Sequence, residues 1–317
     1  MKVIQVQAPG LFTTVQDLGR EGFGPIGVSP SGAADPISLR LGNRLVSNAE
    51  NAAALEMTLL GGTFLFPDGG IIALTGSDFG ATLDRISICL WTSTEVGLGQ
   101  TLRLGPTRSG ARCYLCVQGG IAVKPFLGSA STHILSGLGG LDGRALRKGD
   151  VLTIGPASAP FTKKTIPPQV LECLSPRKVL RVTPGPQSEW FPESSQKLFY
   201  TSVYRVTEES NRMGLRLEGA AIPAHTSRQM ITEGVSLGAI QVPDGGQPII
   251  LFVEQQTTGG YPKIANVISA DLPGVGQLRP RDEVRFEPVG WETAQTLLRE
   301  QEELLAIADV YPRNEAH

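Results

Sequence analysis

The start of the chain alternates apolar and polar side chains. Ile4, Val6 and Ala8 would point to one side of a strand, whereas Gln5 and Gln7 would point to the other. Short apolar or alternating runs recur along the chain, and glycine, proline or aspartate lies close to them. These runs predict strands at Phe64–Phe66, Ile71–Leu74, Ile86–Leu90, Tyr114–Val117, Val179–Val182, Ile249–Val253 and Val284–Phe286. The pattern therefore predicts a mainly β protein.

Two segments have helical spacing instead. Asp35 can cap the first segment and Pro36 suits a first helical turn, so we predict a short helix over Pro36–Val46. The second segment has apolar residues three and four positions apart, with acidic residues between them, and it predicts an amphipathic helix over Trp291–Ala308. The packing face predicted for this helix consists of Ala294, Leu297, Leu298, Gln301, Leu304, Leu305 and Ala308.

A proline-rich stretch divides the chain. Each proline fixes its own φ and favours an extended conformation in the residue before it, so neither a helix nor a central strand is predicted between Pro156 and Pro176. We predict an N-terminal β subdomain over 1–155, a linker over 156–177, a C-terminal β subdomain over 178–290 and a helical segment over 291–309. A long connector inside one large domain is the alternative.

Composition and charge exclude several classes of protein. The 317 residues include 28 Lys and Arg against 30 Asp and Glu, so no basic surplus is available for a nucleic-acid backbone. Apolar runs such as Ile249–Val253 are far shorter than the ~18 residues of a membrane span. Met1–Gly10 lacks the continuous apolar region of a signal peptide, and four cysteines suit a reducing compartment. We therefore expect a cytoplasmic protein without nucleic-acid or membrane partners.

Several familiar signatures match by residue type but not by context. The G-x-G-x-x-G match at Gly22–Gly27 contains and precedes prolines, which oppose the helix of a dinucleotide site. The G-x-S-x-G match at Gly234–Gly238 continues into a strand-like run. Cys113 and Cys116 have zinc-knuckle spacing, but three positions along a strand put two side chains on opposite faces. We predict buried free thiols and no metal site, and the sequence contains no G-x-x-x-x-G-K-[ST] phosphate loop.

The densest polar segment is the run Gln255–Lys263, which follows the apolar run Ile249–Val253. Gly259 and Gly260 can turn consecutive N–H groups towards an anion, while Lys263 supplies positive charge. These groups suit an oxyanion or a phosphate, and a simple hairpin turn is the alternative. Weaker polar clusters, for which capping and structural hydrogen bonds are the alternative, occur at 14–20, 31–35, 55–58, 76–78, 211–219 and 238–243.

Taken together, the clusters resemble the motifs of one family, in the same order and over nearly the whole chain. The motifs are TVQDLGR at 14–20, SGAAD at 31–35, LE-x-T at 55–58, GGIAV at 119–123, LGSAST at 127–132, GPQ at 185–187, NRMGLRLEG at 211–219, GAIQVP at 238–243 and QTTGGYPKIA at 256–265. They resemble the family of the 5-oxoprolinase C subunit, also described as allophanate hydrolase subunit 2 or the biotin-dependent carboxyltransferase-like family. The sequence departs from the family pattern at Ala130, where relatives commonly have Arg, and at His133 and Glu254.

The resemblance implies a fold and an activity. It implies two cyclophilin-like β-barrel subdomains with a few short helices and a C-terminal helix. It further implies ATP-dependent hydrolysis of 5-oxoproline to L-glutamate, with ATP bound in an assembled complex with partners that resemble the A and B subunits of 5-oxoprolinase. One alternative is the carboxyltransferase component of a biotin-dependent urea-type carboxylase. Biotin would then be carried elsewhere, since the chain has no Met-Lys-Met acceptor segment. The other alternative is a noncatalytic regulatory protein that binds its partner.

The predicted site follows from the polar clusters and the resemblance together. Arg20 and Arg212 are expected to clamp a substrate carboxylate, and both are expected to converge with Lys263 on one anion-binding cavity. The predicted catalytic residues are Gln256, Thr257, Thr258, Tyr261 and Lys263. The predicted substrate-binding residues are Arg20, Asp17, Asp35, Glu56, Asp78, Arg212, Gln241, Gly259 and Gly260.

Overall fold

The structure, a computed structural model, describes residues 2–157, 159–174, 178–224 and 230–308. It is mainly β with a few helices, including one at the C-terminus, and this confirms the predicted fold class. The chain divides into two compact units. The first comprises Met1–Arg20, Ser31–Leu174 and Leu304–His317, and the second comprises Glu21–Pro30 and Ser175–Glu303. The predicted subdomain boundaries themselves stay predictions.

The first unit contains two antiparallel sheets. The larger has the order β11 (Ile121–Ala122), β12 (Val151–Ile154), β1 (Val3–Ala8), β4 (Thr63–Phe66), β9 (Gln100–Arg103), β6 (Thr82–Leu83) and β7 (Ile86–Ser87). The smaller has the order β2 (Phe12–Gln16), β3 (Ala54–Thr58), β10 (Arg112–Val117), β5 (Gly70–Gly76) and β8 (Ser93–Val96). Both sheets contribute to one apolar core, as Ile4 and Phe64 do from the larger sheet and Leu55 and Leu115 from the smaller.

Helix α1 (Pro36–Leu45) packs against the smaller sheet and confirms the first predicted helix. Its N-cap residue Asp35 accepts a hydrogen bond from the Ser38 amide at 3.0 Å, and Pro36 occupies the first turn. Its apolar face forms a second core with Tyr114 and Cys116. Cys113 instead belongs to the core between the two sheets, so the two cysteines are buried free thiols on opposite faces of β10, as predicted.

The second unit is built on a closed seven-stranded barrel. The order is β13 (Val179–Pro184), β20 (Lys263–Val267), β17 (Ala239–Gln241), β18 (Ile249–Leu251), β15 (Gly214–Glu218), β14 (Tyr204–Val206) and β21 (Glu283–Pro288). Strands β13 and β21 close the barrel by pairing in parallel, with Val179 opposite Arg285. A separate ladder joins β16 (Glu233–Gly234) to β19 (Thr258–Gly259). The described helices of this unit include α3 (Glu193–Thr201), α4 (Leu272–Gly276) and three-residue 3-10 helices at Gly24–Ile26, Ser188–Trp190 and Ser269–Asp271.

The C-terminal helix α5 (Trp291–Ile307) confirms the second predicted helix and its amphipathic character. Every residue of the predicted packing face is buried or half-buried, and every other residue from 291 to 308 is exposed. The spacing of apolar residues therefore identified the buried face of this helix correctly. Among the described residues, no helix is both long enough and apolar enough to cross a membrane.

Two local predictions were wrong. A short helix, α2 (Pro168–Leu174), lies inside the predicted linker, because a proline at a first helical position loses no hydrogen bond and because Val170 is buried. The strand predicted over Ile86–Leu90 reduces to the exposed pair Ile86–Ser87, which follows a tight turn with positive φ at Asp84 and Arg85. Some residues of the predicted segments lie outside the described residues: residue 1 of the N-terminal subdomain, residues 158 and 175–177 of the linker, residues 225–229 of the C-terminal subdomain and residue 309 of the helical segment.

Candidate functional site

The polar segment Gln255–Lys263 connects β18 to β20 and is folded against the ladder strand β16. Gln256, Thr258 and Tyr261 are exposed, whereas Lys263, the first residue of β20, is 2% exposed. Glu233 stands opposite Gly259 in the ladder. The segment thus places exposed polar side chains beside a buried lysine at the start of a barrel strand.

A compact polar group, which we call the Lys263 cluster, consists of Lys263, Glu233 and Gln187. The Lys263 ammonium donates to Glu233 Oε1, and Gln187 Nε2 donates to the same oxygen at 2.8 Å. Gln187 is fixed in turn by the Lys263 backbone, because the Lys263 amide donates to Gln187 Oε1 at 3.1 Å and the Gln187 amide donates to the Lys263 carbonyl at 3.2 Å. One carboxylate oxygen therefore receives a cationic and a neutral donor.

The two charges of the cluster differ in exposure. The Glu233 side chain is 43% exposed, whereas the Lys263 side chain is 3% exposed. The hydrogen bond from Lys263, followed by that from Gln187, holds the pKa of Glu233 below its usual value. Because Lys263 is buried, its charge needs a nearby anion, and the arrangement is chemically an anion site at the edge of solvent.

Two neighbouring residues position the polar segment. Gln241 of β17 is 2% exposed and donates from Nε2 to the Gly260 carbonyl at 2.9 Å. Gly185 begins the GPQ turn, and a Cβ added there would lie 2.2 Å from the Lys263 carbonyl oxygen. Only glycine permits that close approach, so the backbone at Gly185 is what allows Gln187 to reach Lys263.

Arg212, predicted to clamp a substrate carboxylate, has an internal carboxylate as a partner. Its Nε donates to Glu254 Oε1 at 2.5 Å, and both side chains are under a tenth exposed. The Glu254 amide also donates to the Arg212 carbonyl at 2.8 Å. The pair secures the start of the polar segment to the strand region before β15.

In the first unit, the TVQDLGR motif binds the LGSAST motif. The Asp17 carboxylate accepts hydrogen bonds from Ser129 Oγ and from the Ala130 amide, each at 2.6 Å, and also from Ser131 Oγ and the Gly19 amide. Because Ala130 makes this contact through its backbone, the family departure at this position leaves the contact to Asp17 intact.

The predicted residue Arg20 lies beside Asp17 and is 2% exposed. Its guanidinium donates to the carbonyls of Ser131 and Phe126 and lies over the Phe126 ring, 5.6 Å from the ring centroid. These contacts make the Arg20 side chain part of the fold of the first unit.

His133, another departure from the family pattern, begins a short turn in which its Nδ1 accepts from the Ser136 amide at 3.2 Å.

Glu56 and Asp35 hold the SGAAD loop on the smaller sheet. The fully buried Glu56 carboxylate accepts from the Ala34 amide at 2.8 Å and from the Tyr114 hydroxyl at 2.6 Å. Arg112 Nε lies 3.6 Å from Glu56, and the Asp35 amide donates to the Tyr114 hydroxyl. Burial, and then the charge of Glu56, raise the pKa of Tyr114 well above its usual value.

The structure brings together some predicted site residues and separates others. Lys263, Gln241 and Gly260 lie around one segment of the second unit, and Arg212 belongs to the same unit. Arg20, Asp17, Asp35 and Glu56 belong to the first unit, where Asp78 stands apart in a partly exposed pair with Arg108. The convergence of Arg20, Arg212 and Lys263 on one cavity stays a prediction.

Sequence reasoning missed Gln187 and Glu233. The sequence could have indicated Gln187, because it ends the GPQ motif. Glu233 stands in an exposed run just before the G-x-S-x-G match at Gly234–Gly238, which gives no sign of a carboxylate role, and the pairing of β16 with β19 brings it to Lys263.

Comparison with known proteins identifies the family. Residues 26–288 match the family described as carboxyltransferase domain, subdomain A and B. Over 302 residues the chain is 39% identical to the 5-oxoprolinase C subunit of Escherichia coli (strain K12), covering 95% of this chain and 96% of that protein. The chain belongs to the carboxyltransferase domain A and B family. This carboxyltransferase-domain chain is also 37% identical to the 5-oxoprolinase C subunit of Haemophilus influenzae over 289 residues, covering 91% and 92% of the two chains.

A solved structure gives the same fold. The crystal structure of the K. lactis urea amidolyase matches this carboxyltransferase-domain chain with a TM-score of 0.90 and 35% sequence identity. The match covers 96% of this chain but only 20% of that protein. The chain thus corresponds to one part of a much larger enzyme, whereas it matches the bacterial proteins over nearly their whole length.

Proposed function

We propose that this chain is the C subunit of an ATP-dependent 5-oxoprolinase. In the cytoplasm it acts with partners that resemble the A and B subunits of that enzyme to hydrolyse 5-oxoproline to L-glutamate, and it is active only in that complex. The observation that carries the proposal is near-full-length similarity to two relatives that bear this name. The Lys263 cluster supports it further, since the substrate and the product are both carboxylates.

The reaction needs two kinds of assistance. Amide resonance makes the lactam carbonyl a poor electrophile, and attack by water places developing negative charge on its oxygen. ATP, when bound in the complex, supplies the driving force. The chain lacks a phosphate loop, and Gly24–Ile26 forms a 3-10 helix where a dinucleotide fingerprint would require an α-helix. Neither feature provides a site for the phosphates of ATP, and the proposal therefore places ATP in the assembled complex.

The contribution of this chain is to bind and orient anionic oxygen. Lys263 Nζ and Gln187 Nε2 already converge on a carboxylate oxygen, and preorganised donors of this kind stabilise developing charge without reorganising. Thr258 and Tyr261 are exposed beside them and can contact the rest of a substrate. Gln256 and Thr257 complete the polar segment, in which Gln241 fixes the carbonyl of Gly260.

The second candidate function is carboxyl transfer. It is favoured by the structural match to urea amidolyase, in which this chain corresponds to one part of a larger protein. The same two donors would then stabilise the oxyanion of a carbamate. A separate biotin carrier and carboxylase would supply the activated carboxyl group, since this chain has no biotin-acceptor segment.

The test is reconstitution of the complex from purified proteins. We expect 5-oxoproline-dependent ATP hydrolysis and glutamate formation that require this chain, and a loss of about 10²–10³-fold in turnover for Lys263→Met, because one stabilising donor is removed. Thr258→Ala should lower turnover less. Glu218→Gln, at an exposed pair with Arg205, is the matched control and should leave turnover unchanged.

Two outcomes contradict the proposal. The first is full lactam hydrolysis by the partner proteins without this chain. The second is full turnover in Lys263→Met, which would remove the polar segment from the reaction. Incorporation of bicarbonate into urea, in the presence of a biotin carrier and carboxylase and without lactam hydrolysis, would instead establish carboxyl transfer.

A further inference from the structure

The donors and the acceptor of the Lys263 cluster belong to different kinds of structure. Lys263 is the first residue of a barrel strand and Gln187 is 7% exposed, so both donors are part of the buried interior. Glu233 is part of an exposed segment and contributes one oxygen to the two donors. The two buried donors thus form a position that binds a carboxylate, and the carboxylate bound there belongs to the exposed residue Glu233.

The donor side of this position is held firmly. Gln187 and Lys263 exchange two hydrogen bonds, from backbone amide to side-chain oxygen and from backbone amide to carbonyl. The close approach of Gly185 to the Lys263 carbonyl leaves no room for the turn to shift towards the strand. The Gln187 carboxamide is therefore oriented by contacts that do not depend on Glu233.

The acceptor side is held weakly. All four residues from Ile231 to Gly234 are exposed, with Ile231 at 85%, so none of them anchors the segment by burial. The ladder that joins this segment to the polar segment is two residues long, and one further backbone hydrogen bond follows it, from the Val235 amide to the Thr257 carbonyl at 3.0 Å. A Cβ added to Gly234 would have no neighbour within 4 Å. Withdrawal of Glu233 would therefore expose little apolar surface to water.

We propose that Lys263 and Gln187 form a binding site for the carboxylate of a small ligand, and that Glu233 occupies this site until the ligand carboxylate replaces it. Replacing one carboxylate by another keeps Lys263 neutralised, so the exchange does not leave a buried charge unpaired. A neutral ligand cannot make the exchange. Naming 5-oxoproline as the ligand rests on the proposed function, whereas the site itself rests only on these contacts.

The test is calorimetric titration of the purified 317-residue chain at constant ionic strength. The probes are 5-oxoproline and acetate, with acetamide as the neutral analogue of acetate. Glu233→Ala removes the internal competitor, and the apparent affinity for both carboxylates should rise about tenfold over wild type, because a larger fraction of the sites is open to ligand. Acetamide should bind neither protein.

Further variants identify the donors. In the Glu233→Ala background, Lys263→Met should abolish carboxylate binding and Gln187→Ala should weaken it. Glu233→Gln keeps the size of the side chain and removes its charge, so it should also bind carboxylates more tightly than wild type, even if the alanine variant folds poorly. Glu218→Gln, in an exposed pair 3.6 Å from Arg205, is the matched control and should bind as wild type does.

The inference is overturned if carboxylates bind Glu233→Ala and Glu233→Gln no more tightly than wild type. It is equally overturned if the tighter binding survives Lys263→Met. Because this titration needs neither ATP nor the partner proteins, its result is independent of the reconstitution assay. Tighter carboxylate binding without lactam hydrolysis in the complex would retain the site and reject the proposed function.

Discussion

At the scale of single residues, substitution of the buried Glu56 is expected to lower the stability of the fold strongly. Glu56 has no exposed surface and stands between Tyr114 and Arg112, whose own side chain is 8% exposed. Glu56→Ala would leave that guanidinium buried without this carboxylate, and we expect it to lower the free energy of unfolding by about 3–5 kcal/mol. Denaturant unfolding followed by circular dichroism measures the change.

Two companion variants test the cause. Tyr114→Phe removes one donor to Glu56 and one acceptor for the Asp35 amide, and it should cost about 1–3 kcal/mol. Asp78→Asn breaks a partly exposed pair with Arg108 and should cost no more than about 1 kcal/mol. Equal losses at Glu56 and Asp78 would show that burial of the ion pair is not the source of the effect.

Asp150 provides a prediction about pH. Two hydrogen bonds from Arg144, at 2.8 and 3.0 Å, outweigh burial and hold the pKa of Asp150 below its usual value of 3.8. A lowered pKa in the folded state contributes stability that is present above 3.8 and is lost as pH falls through the folded value. The melting temperature of Asp150→Asn should therefore lie below that of wild type at about pH 6, and the gap should narrow and close as the pH falls below 3.8 and through the lowered folded-state pKa. A gap that does not change with pH would contradict this account.

Residue types in the sequence indicated which side chains are unusual but not what they contact. Asp17 was predicted to bind substrate, yet its oxygens are engaged by Ser129, Ala130 and Ser131, more than a hundred positions away. Glu56 is likewise engaged by Tyr114, 58 positions away, whereas Asp35 caps helix α1 through Ser38, three positions away. Partners as distant as those of Asp17 and Glu56 are set by the tertiary fold, which no local motif encodes. Lys263 was predicted to be catalytic, and that role stays a prediction; its contact with Glu233 could not be predicted from the sequence.

At the scale of elements, helix α1 lies so close to the smaller sheet that a side chain larger than glycine does not fit at Gly42. A Cβ added to Gly42 would lie 2.6 Å from Cys116 Sγ and 2.8 Å from Thr75 Oγ1. Gly42→Ala should favour the helix by up to about 1 kcal/mol yet destabilise the protein by about 1–3 kcal/mol through overpacking. Thermal and denaturant unfolding measure the difference.

A second substitution checks that explanation. Cys116→Ala removes the nearest atom, so adding it to Gly42→Ala should recover part of the lost stability. The loss in free energy of unfolding of the double variant should be smaller than the sum of the losses of the two single variants. If it is equal to that sum or larger, crowding between helix and sheet is not the cause.

Local sequence pattern was most informative for elements with strong periodicity or caps. The start of α1 follows from Asp35 and Pro36, and the buried face of α5 follows from its spacing. Prediction failed where context decides. Pro168 begins a helix instead of excluding one, and the strand at Ile86 stops after two residues because it is exposed at the end of a sheet.

At the scale of the whole molecule, the thiols distinguish folded from unfolded protein. All four cysteines lie in the first unit; Cys89 and Cys173 are exposed, whereas Cys113 and Cys116 are buried and burial raises the pKa of both. A thiol reagent should label the exposed pair at once and the buried pair only when the first unit opens. Mass spectrometry of labelled peptides measures both rates. Rapid labelling of Cys116 in native protein would contradict the packing of α1 on the sheet.

The closed barrel of the second unit was expected from family resemblance and not from residue pattern. Its strands are short, and the alternation within each does not specify which strand is its neighbour. The parallel pairing of β13 with β21 joins the first strand of this barrel in the sequence to the last. Such long-range closure is a property of topology.

That closure also sets the order of events during synthesis. On the ribosome, β13 emerges long before the residues from Glu283 onward that complete the barrel. Until then the nascent chain carries an unpaired strand edge, which is a hazard for aggregation. The β13 edge that pairs with β21 therefore stays open during synthesis from the appearance of Val179 to that of Pro288.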